Sequence, residues 1–290
     1  MSIEQKVRIA HLSDLHLTGK NDLRQLDRLD RLLAEIVRKE YDHLVMTGDL
    51  IDTASPEDWF ILKELLIRHG LFELGRTTVL PGNHDLINLE EELRFYHALN
   101  PDDSGRRRRV MDRLDRFCTV FRPLIAETGN PVAGFPMVKV LKFGEIRLAF
   151  VAVNSVLPWS GSDNPLGARG YVSHEALQAL GGKPVIDALA GSVVIGLCHH
   201  AYRVYGSDAL IDQAFDWTME FKNRDEFLRT IRILGVSVVM HGHFHRFQVY
   251  HADSLTFING GSFRYSPERY GELEICADGR ALHRFLSLGA

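Results

Sequence analysis

Residues 7–16, VRIAHLSDLH, join a short apolar run rich in β-branched residues to a polar motif, and the same combination recurs four more times along the chain. Runs of this length and composition are typical of buried β-strands. Each motif follows directly on a predicted strand and supplies histidine, aspartate or asparagine side chains. The five runs, each with the motif that follows it, are Val7–Leu12 (SDLH, 13–16), His43–Thr47 (GD, 48–49), Thr77–Pro81 (GNHD, 82–85), Ser192–Cys198 (HH, 199–200) and Val236–Met240 (HGHFH, 241–245).

The segments between the first three strands carry helical patterns. Residues 22–39 place on one face Leu23, Leu26, Leu29, Leu33, Ile36 and Val37. Residues 57–69 do likewise with Trp59, Phe60, Leu62, Leu65 and Leu66. Alternation of strand and helix predicts a parallel sheet, whose ligand sites lie beyond the carboxyl ends of the strands. We therefore expect the five motifs to converge on one crevice.

The motifs together offer two aspartates, one asparagine and at least four histidines. This mixture of nitrogen and oxygen donors suits borderline first-row cations better than Ca²⁺. Two such cations, about 3.5–4 Å apart, can clamp the attacking and leaving oxygens of a displacement at phosphorus. Asp14 and His16 face the same way if the strand stays extended, so both are expected to reach one ion. His243 and His245 repeat this spacing after Gly242, which permits a tight turn.

At these residues the chain resembles the calcineurin-like metallophosphoesterase superfamily, whose motif series runs Asp-x-His, Gly-Asp, Gly-Asn-His-Asp/Glu, His and Gly-His-x-His. All five blocks are present in order between Asp14 and His245. The layout is most similar to the bacterial cyclic-nucleotide phosphodiesterase branch, on Leu12–Leu17, on Pro81–Asp85 and on the compact C-terminal end. The resemblance implies an α/β (α+β) fold, an αββα sandwich of two stacked mixed β-sheets flanked by helices.

The resemblance also implies a role for each matching position. Its two sets of metal ligands would be Asp14, His16 and His245 on one ion, and Asn83, His199 and His243 on the other. Asp49 would bridge the two ions together with a hydroxide. His84 would lie beside the substrate, where it stabilises charge or protonates the leaving oxygen, and Asp85 would orient it. A water between two cations loses its proton near neutral pH, so we expect direct attack on phosphorus without a Ser or Cys nucleophile.

The fourth block leaves a choice between two histidines. The family often has Pro after them, whereas Ala201 and Tyr202 follow here. Either histidine can be the ligand, and the resemblance favours His199 over His200. Cys198 precedes them, but its apolar run is more typical of a buried strand thiol.

Composition bounds the class of protein. A chain of 290 residues with 45% hydrophobic content can bury a substantial core, and we predict a single metallophosphoesterase domain over 1–290 with a helical insertion at 88–136. The net charge of −4 gives no basic excess, so a nucleic-acid partner is not expected. Three widely spaced cysteines fit a reducing cytosol. No apolar stretch reaches membrane-spanning length, and the first strand begins too early for a signal peptide, so we expect a cytoplasmic protein with no membrane partner.

Further elements are predicted outside the motifs. Residues 137–143 and 146–153 form a hairpin, a helix covers 174–180, and Asn223 caps a helix that ends near Leu234. Within the insertion we expect a helical pair that turns through 100–105. The run Arg106–Arg109 either forms a lip above the metals that binds phosphate or is a solvated loop or helix face. The solvated face is favoured. Five aromatic residues follow the fourth motif: Tyr202, Tyr205, Phe215, Trp217 and Phe221. They either stack on a nucleobase or pack in the core, and core packing is favoured.

We expect a dinuclear metal-dependent phosphodiesterase that acts on a small phosphodiester such as a cyclic nucleotide. Its two divalent ions would be manganese, iron, zinc or cobalt, since all suit this donor set. A DNA-repair-type nuclease is an alternative, but it needs a long basic groove. A lipid-precursor pyrophosphatase is another, and it needs apolar grooves for acyl chains. A non-catalytic scaffold of the same fold would have lost ligands or His84.

Overall fold

The computed structural model describes residues 5–19, 22–99, 103–127, 133–203 and 217–289. Its strands are β1 (Lys6–Leu12), β2 (His43–Thr47), β3 (Thr77–Leu80), β4 (Met137–Phe143), β5 (Ile146–Ala152), β6 (Val193–Leu197), β7 (Val236–His241), β8 (Phe247–Ala252), β9 (Leu255–Gly260), β10 (Arg269–Cys276) and β11 (Ala281–Ser287). Its helices are α1 (Leu23–Arg38), α2 (Pro56–Arg68), α3 (Asn83–Leu86), α4 (Leu89–Leu99), α5 (Asp103–Val120), α6 (Arg122–Ile125), α7 (His174–Leu180), α8 (Lys183–Leu189) and α9 (Arg224–Ile233).

The strands form two mixed sheets. The first has the order β11-β10-β1-β2-β3, in which β1, β2 and β3 are parallel and β10 and β11 add antiparallel pairings. The second has the order β4-β5-β6-β7-β9-β8, with β5, β6, β7 and β9 parallel and an antiparallel strand at each edge. The motif strands β1, β2 and β3 therefore lie in one sheet, and β6 and β7 lie in the other.

Alternate residues of β5 explain how the layers pack. Leu148 and Phe150 belong to the hydrophobic cluster that also contains Ile9 of the first sheet. Ala149 and Val151 belong to a second cluster, which contains buried residues of α7 and α9. Because successive side chains of a strand point to opposite faces, one face of the second sheet packs on the first sheet and the other on helices. The predicted fold class is confirmed.

The helical faces differ in detail from those predicted. In α1 the buried stripe is Gln25, Leu29, Leu32, Leu33 and Ile36. Leu23 is 70% exposed at the first turn and Val37 is 36% exposed, so both were wrongly placed on the core face. The helix begins where Asp22 Oδ1 accepts a hydrogen bond from the Gln25 amide at 3.0 Å. In α2, Phe60 is likewise 50% exposed. A stripe follows 3.6 residues per turn, so a residue next to a buried one rotates towards solvent.

The predicted helical pair corresponds to α4 and α5, followed by the short α6. Residues 100–102 of the predicted turn lie outside the described residues, as do 129–131. The prediction that the turn continues to Gly105 was wrong, because α5 already begins at Asp103. Arg106 continues the buried stripe of Val110 and Leu114 at helical spacing, and this packing outweighs the cost of about 1 kcal/mol for glycine in a helix.

The type of each remaining predicted element, a hairpin and two helices, is as predicted. The hairpin of β4 and β5 and the helix α7 are where the sequence placed them. α9 begins at the predicted residue, but Asn223 makes no capping hydrogen bond. Its side chain instead pairs with the backbone of Val172, with distances of 3.1 Å and 2.7 Å. Among the helices of the described ranges, none has the length and apolar character needed to cross a bilayer.

Candidate metal centre

The five motifs meet at the carboxyl ends of their strands. Backbone hydrogen bonds join them in pairs: the Asp14 amide donates to the Gly48 carbonyl at 3.1 Å, and the Gly242 amide donates to the His199 carbonyl at 3.1 Å. The first bond joins two motifs of the first sheet and the second joins two motifs of the other, and the His243 amide links the two pairs by donating to Asp14 Oδ1 at 3.1 Å. The carboxyl ends of the strands are where an open α/β sheet binds its ligands.

The donor side chains leave the strands through left-handed turns. The φ angles are 52° at Asp14, 46° at His16, 50° at Asp49, 73° at His243 and 50° at His245. Such a conformation costs about 1–3 kcal/mol for a residue with a Cβ and persists where surrounding structure over-determines it. The condition under which Asp14 and His16 would face the same way, an extended strand, is therefore not met. The two side chains nevertheless come together, because left-handed residues on both sides of Leu15 turn the chain sharply.

Asp14, His16 and His245 form the first donor group, with ligand atoms within 4.8 Å of one another. His245 Nε2 lies 3.1 Å from Asp14 Oδ1 and 3.1 Å from His16 Nε2. His16 Nε2 is 3.9 Å from Asp14 Oδ1. Asp14 is fully buried, and both of its oxygens accept the His243 amide.

Asp49, His199 and His243 form the second donor group. His199 Nε2 lies 3.3 Å from Asp49 Oδ2, 3.2 Å from His243 Nδ1 and 3.1 Å from Asn83 Oδ1. The His199 ring is held from behind, where Nδ1 donates to the Thr47 carbonyl at 2.8 Å. Nδ1 therefore carries a proton, and Nε2 is the nitrogen that faces the group.

Asp49 belongs to the second group and also faces the first. Its Oδ2 atom is 3.3 Å from His199 Nε2 and 3.8 Å from His16 Nε2, while Oδ1 accepts the His84 amide at 2.8 Å. Burial alone would raise the pKa of Asp49, but the positive charges of His199 and His84 outweigh it and hold the pKa well below its usual range. The carboxylate is thus ionised and faces both donor groups.

Two glycines allow this close approach. A Cβ on Gly82 would meet Asp49 Oδ1 at 2.2 Å and the Asp49 amide at 2.4 Å. A Cβ on Gly48 would meet His199 Nδ1 at 2.7 Å, and the φ of this residue is +93°. Any larger residue at either position would push the bridging carboxylate or the second donor group out of place.

The donors fit a pair of divalent cations. At most 1% of the surface of Asp14 or Asp49 is exposed. Within the described ranges no Lys or Arg pairs with either carboxylate. Buried carboxylates need a compensating cation. Two ring nitrogens also face each other, His16 Nε2 and His245 Nε2 at 3.1 Å, an arrangement that a shared cation would stabilise. Burial would lower the pKa of His199, but the charge on Asp49 raises it to about 9, and a metal ion would compensate that charge instead.

The structure distinguishes the two candidate histidines of the fourth motif. His199 belongs to the second donor group, whereas His200 turns away and its Nδ1 lies 2.9 Å from Ser155 Oγ. The same hydroxyl accepts the amides of His199 and His200 at 3.2 Å each. Burial holds the pKa of His200 well below its usual value. His200 therefore packs behind the second donor group, with its ring centroid 4.5 Å from that of His243.

His84 stands at the opening of the centre, with a side chain that is 42% exposed. Its Nδ1 donates to the Asp52 carbonyl at 2.9 Å and lies 3.7 Å from Asp52 Oδ1. Burial would lower the pKa of His84, but the charges of Asp49 and Asp52 raise it. His16 Nδ1 lies 3.2 Å from the same Asp52 oxygen. Asp52 thus contacts both imidazoles, His84 through its backbone carbonyl and His16 through its carboxylate.

The expectation that Asp85 orients His84 was wrong. The Asp85 carboxylate accepts the Gly82 amide at 2.8 Å, the amides of Leu50 and Ile51 at 3.1 Å and 3.2 Å, and Trp59 Nε1 at 3.1 Å. Burial, with the charge on Asp49, raises its pKa to about 6, so it is a carboxylate at neutral pH. From the third position of α3, its side chain turns back to the helix N-terminus and cannot reach the ring of the preceding residue.

Sequence reasoning missed three residues beside the centre: Asp52, Ser155 and Arg264. Arg264 Nη1 contacts Asp52 Oδ1 at 3.0 Å and the His16 carbonyl at 3.4 Å. The spacing of Asp52 three residues after Asp49 was a usable signal. A lone serine after β5 and a lone arginine after β9 gave none, because their importance depends on the stacking of the two sheets.

The basic run and the aromatic residues have mixed roles. Arg106 is buried with its guanidinium 4.9 Å from the Trp159 ring centroid, and Arg109 pairs with Glu92, whereas Arg107 and Arg108 are exposed. The run is therefore neither one lip nor one solvated face. Of the aromatic residues, Phe221 and Tyr202 pack in the second core, and Trp217 is 45% exposed. Tyr205 and Phe215 lie outside the described residues.

The profile of the calcineurin-like phosphoesterase family matches residues 7–247, a range that contains every donor of both groups. The chain belongs to this family. Calcineurin-like phosphoesterases hydrolyse phosphoric esters and use divalent metal ions, in agreement with the His/Asp groups described above. The predicted family is thus confirmed.

Two bacterial relatives are similar over part of the chain. A "Probable cyclic nucleotide phosphodiesterase" of Coxiella burnetii is 31% identical over 91 residues, which are 30% of this chain and 35% of the relative. A "3',5'-cyclic-nucleotide phosphodiesterase" of Nostoc is 36% identical over 93 residues, 29% of this chain and 33% of the relative. The match thus spans about a third of the length of each of these two relatives.

Among solved structures, the crystal structure of a dimetal phosphatase from Danio rerio is similar over 97% of this chain and 98% of its own length. The TM-score is 0.58 and the sequence identity is 15%. At this identity the likeness concerns the fold, which is the two-sheet arrangement of calcineurin-like phosphoesterases.

Proposed function

We propose that this calcineurin-like phosphoesterase is a dinuclear-metal phosphodiesterase of small phosphodiesters, with a cyclic nucleotide as the first candidate substrate. The observation that carries the proposal is the pair of neighbouring donor groups that Asp49 faces with one carboxylate. The two bacterial relatives named as cyclic nucleotide phosphodiesterases support the choice of substrate.

Two divalent cations held by these groups would polarise phosphoryl oxygens and lower the pKa of a water between them. Asp14, His16 and His245 would hold one, Asn83, His199 and His243 the other, and Asp49 would contact both. Imidazole, carboxylate and amide donors favour manganese, iron, zinc or cobalt over calcium. The protein's contribution is to fix these donors on strand ends so that they need no reorganisation when substrate arrives.

His84 would act on the substrate directly. Its Nδ1 proton is fixed on the Asp52 carbonyl, so Nε2 is the atom that reaches outward at the exposed side of the centre. There it would stabilise charge on a phosphoryl oxygen or give a proton to the leaving oxygen. Asp52 would keep this ring and the His16 ring in the required tautomer, as carboxylates beside metal-binding histidines do.

A small diester suits the overall charge of the chain better than a polynucleotide does. The net charge of −4 provides no general attraction for a nucleic acid. The three cysteines are buried free thiols, which supports the expectation of a reducing, cytoplasmic environment. A full set of donors together with His84 is what an enzyme needs and what a scaffold has no reason to keep.

The test is hydrolysis of bis(p-nitrophenyl) phosphate, p-nitrophenyl phosphate and cyclic AMP by chelator-stripped protein, with Mn²⁺, Zn²⁺, Co²⁺ or Mg²⁺ added back singly. We expect metal-dependent turnover that favours the diester, and a loss of roughly 100-fold or more in kcat for His84→Ala. Faster turnover of the monoester would indicate a phosphatase instead. Diester turnover without any cleavage of cyclic AMP would support phosphodiester hydrolysis and exclude cyclic AMP as the substrate.

A further inference from the structure

The centre opens to solvent at two of its imidazoles. The side chains of His84 and His245 are 42% and 34% exposed, whereas Asp14 and His199 are completely buried. In the part of the chain that the structure describes, a phosphoester therefore approaches the donors past these two rings. Side chains that border them are in position to recognise the groups attached to phosphorus.

Two consecutive residues, Arg264 and Tyr265, border this opening. They follow β9, and the Arg264 amide donates to the Asp14 carbonyl at 3.2 Å, which fixes the segment to the first donor group. The Tyr265 ring centroid lies 5.1 Å from that of His245, with the planes tilted by 52°. Arg264 contacts Asp52, the residue that holds His84.

We propose that Arg264 and Tyr265 form the substrate-recognition edge of the centre: Arg264 binds the phosphate, and Tyr265 stacks on a planar aromatic group, such as a nucleobase, attached to it. This inference rests on the proposed function and narrows its substrates to esters that carry an aromatic ring.

The surroundings of Arg264 leave donors for an anion. Nη1 makes the contacts with Asp52 and with the His16 carbonyl. Among the described residues, Nε and Nη2 of Arg264 have no hydrogen-bond partner, and the side chain is 36% exposed. A guanidinium carries five N–H donors in a planar fork that matches phosphate oxygens. The Asp52 contact orients this fork without occupying all of it.

The exposure of Tyr265 is unusual for a large aromatic residue beside a buried site. The residue is 68% exposed, and its contact with the His245 ring leaves most of its surface in water. Covering that surface with a flat apolar ring removes it from water and adds ring–ring attraction. Stacked bases contribute roughly five- to 100-fold to affinity when the aromatic partner is compared with alanine.

The test uses two ligands that differ only by the base, adenosine 5'-monophosphate and ribose 5-phosphate. Their affinities for manganese-loaded wild type, Tyr265→Ala and Tyr265→Phe are measured by calorimetry. We expect the alanine variant to bind the nucleotide roughly tenfold more weakly and ribose 5-phosphate unchanged. The phenylalanine variant keeps the ring and should match wild type. Arg264→Met should weaken binding of both ligands by a similar factor.

Equal losses for both ligands in Tyr265→Ala, or no loss for either, would overturn the proposal. Wild-type protein that binds the two ligands equally would do the same. Diester turnover is measured separately on the same preparations. If Tyr265→Ala loses affinity only for the ligand with a base, and the protein hydrolyses no diester, the proposed recognition edge is supported and the proposed phosphodiesterase activity is refuted. If Tyr265→Ala hydrolyses diesters with an unaltered KM for cyclic AMP, the proposed phosphodiesterase activity is supported and the proposed recognition edge is refuted.

Discussion

Replacing Asp85 with asparagine separates a structural role for this residue from a catalytic one. Its carboxylate accepts four hydrogen bonds, from the amides of Gly82, Leu50 and Ile51 and from Trp59 Nε1. The amide oxygen of asparagine can keep two of them, while its NH₂ group faces the other two donors. Loss of two hydrogen bonds to a buried charge costs about 3–6 kcal/mol. For a protein of this size we expect Tm to fall on the order of 10 °C.

The assay is urea and thermal unfolding of the metal-loaded protein at pH 8, where Asp85 is ionised, followed by circular dichroism and tryptophan fluorescence. Asp52→Asn is the matched control, because its side chain is 27% exposed and contacts His16 and Arg264. We expect this control to lower turnover roughly 10- to 100-fold with a change in unfolding free energy below about 1 kcal/mol. Wild-type stability of Asp85→Asn would refute the structural role of Asp85, and wild-type turnover of Asp52→Asn would refute a role of the Asp52 carboxylate beside His16 and Arg264.

Three further substitutions test other parts of the structure. Gly82→Ala places a Cβ 2.2 Å from the bridging carboxylate, so bound metal should fall from two equivalents to one or none by elemental analysis, whereas Gly75→Ala, with no atom within 4 Å, should keep two. Ser155→Ala removes the acceptor of the His199 amide and should weaken one metal site roughly 10- to 100-fold in calorimetric titration; an unchanged affinity would contradict this positioning role. Burial lowers the pKa of Lys139 to about 7, whereas the pKa of a lysine in the unfolded chain is about 10.4. Between these two pH values the unfolded state therefore binds more protons than the folded state. The unfolding free energy of wild type should therefore rise from pH 7 to pH 10 and that of Lys139→Met should not, a difference that parallel pH curves would disprove.

Much of the fold followed from local patterns. Each motif strand was predicted from an apolar run of five to seven residues, and the alternation of strands and helices predicted the parallel strands β1, β2 and β3 of the first sheet. Errors arose where packing decides. Leu23, Val37 and Phe60 fit a helical stripe in sequence, yet they are exposed because they lie at the outer edge of that stripe. α5 extends through Gly105 because Arg106 is buried in line with it.

The candidate site was predictable to the level of residue identity but not of geometry. The spacing of the motifs named the donors, whereas the left-handed turns at Asp14, His16 and Asp49 were invisible to a rule based on extended strands. The partner of His84 was misassigned, because adjacency in sequence suggested Asp85. The contact with Asp52 depends on how the turn after β2 lies against α3.

The most direct test of the two-group centre is a titration of metal-free protein with Mn²⁺ in which bound metal and diester hydrolysis are followed together. We predict that turnover of bis(p-nitrophenyl) phosphate rises only as the second equivalent binds, and that Asp49→Asn abolishes this rise. Full turnover after one equivalent, or hydrolysis that is unchanged when Asp49 is replaced, would contradict a shared carboxylate between two metal ions.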